Sequence, residues 1–276
     1  MDVLDDPTEL LQAAHLFGYG SATGIDLPGE AKGKLPTDVK QNRTGLYASA
    51  IGQHTLLCTP LQTAVALSAI ANKGIILSPT IAKTVEGAVP NPEPWHLLSP
   101  NSRRTRAELL QLGIDFPLFT AAISRDEKPI VQHLEPNVVR VINLPDSVRS
   151  SLIEGMDRAV WNSKGTARPG AIKGLKYNPA LLSQYLSLKH QMVGKTSTAE
   201  ILFNPNISPS SKASLYKHIW FGAIGFNPHA PEFEDPEIVI VVYLRYGDGG
   251  KEAAPLASQM IAKWREIQKA HSGTSS

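Results

Sequence analysis

The chain has one cysteine, Cys58, in 276 residues, which excludes an internal disulfide framework. Its setting beside Leu56 and Leu57 suggests a small buried side chain rather than a nucleophile. Charge of one sign never accumulates in a long block, and the net charge of +2 gives no reason to expect nucleic-acid or membrane-surface binding. The eight histidines are scattered, and none has ligand spacing to another His or to Cys, so no metal is expected. No signal peptide is visible, and the longest apolar run, residues 238–244, is far short of the ~20 residues a spanning helix needs. Cofactor motifs are missing too. The Gly18, Gly20, Gly24 spacing follows a helical pattern instead of a strand, and a phosphate-cradling loop ending at Gly194 needs glycine where Lys189 stands. The 42% of hydrophobic residues is enough for a real core.

The informative stretch is Lys195-Thr196-Ser197-Thr198-Ala199-Glu200, preceded by Met192-Val193-Gly194. It sets a cation and hydroxyls side by side in a β-prone segment, the chemistry needed to hold a carboxylate. Upstream stand Phe17-Gly18-Tyr19-Gly20, Thr23-Gly24-Ile25-Asp26-Leu27-Pro28-Gly29-Glu30, Ile51-Gly52-Gln53 and Thr59-Pro60-Leu61-Gln62. In this order the blocks resemble the transpeptidase domain of class B penicillin-binding proteins, from about Leu16 to the C-terminal helix.

The resemblance implies an α+β fold of the β-lactamase/transpeptidase type, with helices packed on an antiparallel sheet. Residues 1–276 would form a partial domain, incomplete at the N-terminus, with residues 88–140 an insertion or variable region. It implies a D,D-transpeptidase that cross-links peptidoglycan stem peptides and is acylated by β-lactams, without a cofactor or metal. Lys195 would set the electrostatics of the site, and Thr196 and Thr198 would bind the substrate carboxylate. Lys195 and Ser197 would also bind substrate from the same strand, and the Thr198 amide would donate to the oxyanion. The parent protein would be anchored in the cell inner membrane with its catalytic domain in the periplasm. Its partners would be cell-wall synthesis proteins and the upstream segment of the same chain.

The departures are specific. The family's Ser-x-x-Lys and Ser-x-Asn lie upstream of the first block, whereas here Ser214-Leu215-Tyr216-Lys217 and Ser99-Pro100-Asn101 come in the wrong order. The chain is therefore expected to be a C-terminal fragment, inactive alone. Ser197 replaces the glycine of Lys-Thr-Gly, which would narrow the pocket if its side chain faced it. His54 replaces a glycine after Gln53, and since a histidine adopts φ > 0 much less freely than glycine, the resemblance leaves the local loop conformation open. Two other readings stay open: a non-catalytic scaffold or partner-binding module of the same fold, and a hydrolase that recruits Ser197 or Ser214.

Local patterns predict helices over residues 8–17, 59–73, 103–112, 146–161 and 254–270. The second has a capping box, Thr59 with Gln62, and a face of Leu61, Ala64, Val65, Ser68 and Ala71. The fourth is read with Val148, Leu152, Met156 and Val160 inward, and the last with Leu256, Ile261, Trp264 and Ile267. Strands are expected over 138–142, 192–201, 218–226 and 237–246. Asp26 and Glu30 are expected to satisfy loop amides instead of forming an acid/base pair. Apolar surface left uncovered is expected to promote association.

Overall fold

The computed structural model of the protein describes residues 6–82, 84–86, 131–133, 136–203 and 214–273. Two compact units are present, Met1–Pro79 with Val138–Ser276 and, separately, Thr80–Asn137. In the smaller unit, β2 (Thr84–Glu86) and β3 (Val131–His133) pair antiparallel, with Val85 opposite Gln132. The helix expected over 103–112 and the Ser99-Pro100-Asn101 string lie outside the described residues.

The larger unit is built on a three-stranded antiparallel sheet in the order β5 (Met192–Phe203), β6 (Ser214–Phe226), β7 (Pro236–Leu244). Period-2 alternation divides its side chains between two cores. Met192, Phe221, Ala223, Ile240 and Val242 pack with Tyr185 of α6 (Pro179–Ser187) and with Ala257 and Ile261 of α7 (Ala254–Gly273). On the opposite face, Val193, Ile224 and Phe226 meet Leu67 and Ala71 of α3 (Pro60–Ala71) and Ile153 and Met156 of α4 (Asp146–Trp161). With helices against both faces the central strands read as almost continuously apolar. α1 (Glu9–Leu16), α2 (Arg43–Ala50), α5 (Lys173–Lys176) and a short pair of strands, β1 (Ile75–Ser78) with β4 (Asn137–Val141), complete the unit.

α3 begins where its sequence says it must. Thr59 accepts from the Gln62 N–H at 3.1 Å, and Gln62 accepts from the Thr59 N–H at 2.9 Å. The buried set is wider than the expected face, however: Gln62, Val65, Ala66, Leu67, Ala69 and Ala71. Gln62 is buried because its amide also donates to the carbonyls of Ser21 and Lys32, at 2.7 and 2.8 Å. In α4 the inward face is Arg149, Ile153, Met156 and Val160, while Val148 and Leu152 are exposed. A strict four-residue step drifts away from the 3.6-residue turn, and Arg149 is drawn inward by carbonyls it satisfies. In α7, Ala254, Ala257, Ser258 and Ile261 are buried, and Leu256 and Ile267 are exposed, because small side chains allow the helix close to the sheet.

Glu30 closes the glycine-rich loop. Its carboxylate accepts from the Thr23 N–H at 2.7 Å, the Thr23 hydroxyl at 2.6 Å and the Gly24 N–H at 3.0 Å. Burial opposes its charge, but these bonds prevail and hold the carboxyl below its ordinary pKa. A depressed folded-state pKa adds stability above the unfolded value and loses it as pH falls through the folded value. Glu30→Gln is therefore expected to flatten the acid limb of a melting-temperature profile between about pH 6 and pH 3. An unchanged acid limb would show that the loop does not depend on this charge.

Candidate active site

Lys195, Thr196, Ser197 and Thr198 lie in the middle of β5, opposite Gly222, Phe221, Trp220 and Ile219 of β6. Alternation puts Thr196 and Thr198 on the face shared with Phe221, and Lys195 and Ser197 on the other. The structure thus brings the two threonines together and separates Ser197 from them. Ser197 sits toward Gly52, where a Cβ added to that glycine would lie 3.8 Å from the serine Oγ. The serine in place of glycine does not narrow the approach to the threonine face.

Three elements hold the threonines. The turn after α4 brings Thr166 Oγ1 to 2.8 Å from Thr196 Oγ1. That turn is fixed from below: Tyr185, fully buried, donates its hydroxyl to the Ala167 carbonyl at 2.9 Å, and burial pushes its phenol far above the ordinary value. The 3-10 turn Gly250–Ala253 ahead of α7 supplies the Gly250 N–H to Thr198 Oγ1 at 3.1 Å. The loop after α2 supplies Gln53, whose Nε2 donates to the Thr198 carbonyl at 2.7 Å.

A hydroxyl has one proton and two lone pairs. Thr198 accepts from Gly250 and so keeps its proton for another acceptor. The Thr166 and Thr196 hydroxyls share one proton between them and leave one to donate outward. Lys195 is exposed and donates to the Thr196 carbonyl at 2.6 Å, placing its charge at the same strand edge. Two outward O–H donors beside an ammonium are complementary to a carboxylate.

The edge itself is oriented by the ladder. In an antiparallel strand the N–H and C=O of one residue point the same way and alternate along the chain. The Met192 carbonyl accepts from the Trp161 indole at 2.7 Å, and those of Thr196 and Thr198 from Lys195 and Gln53. Even-numbered residues of β5 therefore face away from β6, and the Thr196 and Thr198 N–H groups point to the edge that no strand pairs among the described residues.

The other candidates are placed differently. Positions 214 and 217 lie on opposite faces of β6, because Ser-x-x-Lys aligns its ends on a helix and not on a strand. Lys217 pairs instead with Glu200 at 3.6 Å. Burial raises the thiol pKa of half-buried Cys58, which disfavours a nucleophilic thiolate. Among the described residues no group of His, Cys, Asp and Glu could hold a metal, and no helix is long and apolar enough to cross a membrane. Gly250 and Trp161 were not legible as site residues, since they reach β5 across 52 and 31 positions of chain.

The profile of the penicillin binding protein transpeptidase domain matches residues 6–262. Peptidoglycan D,D-transpeptidase MrdA of Haemophilus influenzae is 26% identical over 255 residues, 89% of this chain and 31% of that protein. Penicillin-binding protein PbpB of Mycolicibacterium smegmatis is 25% identical over 270 residues, 94% of this chain and 31% of that protein. The chain spans about a third of the length of these relatives. Among solved structures, penicillin-binding protein 3 of Mycobacterium tuberculosis complexed with aztreonam superimposes with a TM-score of 0.58. It has 18% identity, covering 95% of this chain and 47% of that one. Penicillin-binding protein 2B of Streptococcus pneumoniae gives 0.52 at 20% identity, over 95% and 32%. Helices on an antiparallel sheet are thus shared with these proteins, and the profile match runs through the strand that carries Lys195 to Thr198. The chain belongs to the penicillin-binding protein transpeptidase domain family.

Proposed function

We propose that the chain supplies the substrate-carboxylate strand of a D,D-transpeptidase that cross-links peptidoglycan and is inhibited by β-lactams. The observation that carries this reading is the pair of outward threonine hydroxyls beside Lys195 on an open strand edge. In the reaction, a serine oxygen attacks the D-alanyl-D-alanine carbonyl, the terminal D-alanine leaves, and the acyl group passes to the amine of a second stem peptide. Thr196 and Thr198 would bind the terminal carboxylate, and the Thr198 N–H would face the oxyanion. The one Ser-x-x-Lys string of the chain lies in a strand, so the reading assigns these residues binding and orientation and takes the nucleophile from elsewhere. The same resemblance supports a parent protein anchored in the inner membrane with its catalytic domain in the periplasm.

Titration of the isotope-labelled chain with benzylpenicillin is expected to shift the Thr196 and Thr198 amide resonances saturably. Thr196→Val and Thr198→Val should each weaken binding by about tenfold, the scale of one charge-assisted hydrogen bond. Intact mass after the titration should be unchanged. A stoichiometric adduct abolished by Ser197→Ala or Ser214→Ala would replace this reading with a hydrolase that has its own nucleophile, and absence of any shift would refute it.

A further inference from the structure

We infer that Gln53 is a positioning residue of this site, acting on the ligand through Thr198 and held in place by a His54–Asp38 pair. The inference rests on the carboxylate-binding reading above and names a part of the machinery which that reading does not contain.

Gln53 is set by its own loop before it reaches the strand. Its N–H donates to the Ala48 carbonyl and the Gly52 N–H to the Ser49 carbonyl, both at 2.9 Å, so the chain turns back under the end of α2. Gly52 and His54 flank it with φ of 77° and 69°, and this double left-handed turn aims the Gln53 side chain at β5. At His54 a glycine would adopt that φ without strain. The histidine adopts it while its Nε2 lies 2.7 Å from Asp38 Oδ1, a contact that glycine could not make. The hydrogen bonds from His54 and then from Asn42 hold the Asp38 carboxyl below its ordinary pKa. Asn42 in turn caps α2 through the Gly45 N–H at 2.8 Å, and Gly45 leaves room for the imidazole, since a Cβ there would stand 2.9 Å from His54 Nε2. A chain of contacts therefore runs from Asp38 through both ends of α2 to the amide of Gln53.

At the strand, Gln53 binds a carbonyl on the edge of β5 that has no strand beside it among the described residues. With the Thr198 carbonyl held by Gln53 and the Thr198 Oγ1 held by Gly250, the residue is gripped from two sides. Its hydroxyl proton and N–H are thereby kept in one orientation before a ligand arrives, which removes an ordering penalty from binding.

The test is a double-mutant cycle read by benzylpenicillin titration of the full chain. Gln53→Leu is expected to weaken binding about fivefold, the scale of one neutral hydrogen bond. In a Thr198→Val background the same change should have no further effect, because the group that Gln53 orients is already gone. Asp38→Asn should reproduce part of the Gln53→Leu loss, with a melting temperature close to that of the wild type. Wild-type binding with Gln53→Leu unaffected, or additive losses from Gln53→Leu and Thr198→Val, would overturn the positioning role and leave the carboxylate site standing. Tighter binding by Gln53→Leu would also overturn it, showing a blocking contact instead. No binding by the wild type would overturn both.

Discussion

Replacing Arg149 with alanine is expected to lower the unfolding free energy by about 4 kcal/mol, since three carbonyls lose their donor at about 1–3 kcal/mol each where they stay buried. The side chain is only 4% exposed. Its Nε donates to the Ile70 carbonyl at 3.1 Å, and its Nη2 donates to the carbonyls of Ala71 and Phe233 at 3.2 and 2.9 Å. Ile70 and Ala71 end α3, where carbonyls lack intrahelical partners and the helix dipole favours a cation. Glu234 contributes less, since its carboxylate is half-exposed and 4.0 Å away. Truncation would leave three carbonyls without a donor and detach α3 from α4 and from the turn before β7. Arg149→Lys keeps the charge but has no planar fork, so it should recover no more than half of the loss. Urea unfolding with an unchanged slope would measure both values. A loss below about 1 kcal/mol for the alanine variant would mean that water replaces the guanidinium at no cost.

Gly250→Ala is expected to abolish ligand binding and to cost about 3 kcal/mol, the upper range for overpacking a rigid site. A Cβ at this position would stand 2.5 Å from the Ser197 carbonyl oxygen, 2.6 Å from that of Trp220 and 2.8 Å from the Ser197 nitrogen. All three are backbone atoms of paired strands, so none can swing aside as a side chain would. The 3-10 turn would have to retreat from the sheet, taking with it the N–H that fixes the Thr198 hydroxyl. Titration and thermal melting on one sample separate the two effects. Retained binding in a folded Gly250→Ala variant would show that the hydroxyl orients itself without the turn.

These two residues also mark where the sequence was hard to read. The starts of α3 and α4 and the three long strands were legible, because a capping box, a proline and a run of β-branched residues are local signals. The strand holding Lys195 to Thr198 was legible for the same reason, and His54 was recognised as a residue in a glycine's place. The helix faces were misjudged where burial is decided by hydrogen bonding. Arg149 and Gln62 look like surface residues until the carbonyls they satisfy are in place, and Val148 and Leu152 look like core until Arg149 takes the inward position. The supports of the site were hidden for a related reason. The Gln53 amide meets Thr198 across 145 positions of chain, and no periodicity in either segment registers that meeting.

The open side of β5 has a further consequence in how the molecule meets others of its kind. An exposed strand edge is a template on which any extended chain can grow a sheet. Here the Trp161 indole closes the edge at Met192 and the Gln53 amide closes it at Thr198, six positions further along the strand. Since alternate residues face the edge, only Gly194 and Thr196 lie between the two closures, and the Thr196 carbonyl already accepts from Lys195. Within that stretch the two positions, about 7 Å apart, can accept a short peptide but are too few to nucleate a ladder, whereas Glu200 and Leu202 face the edge beyond the second closure. The same side chains that would keep the strand ready for the proposed ligand thus shield the stretch between Met192 and Thr198 from fibre-like self-association.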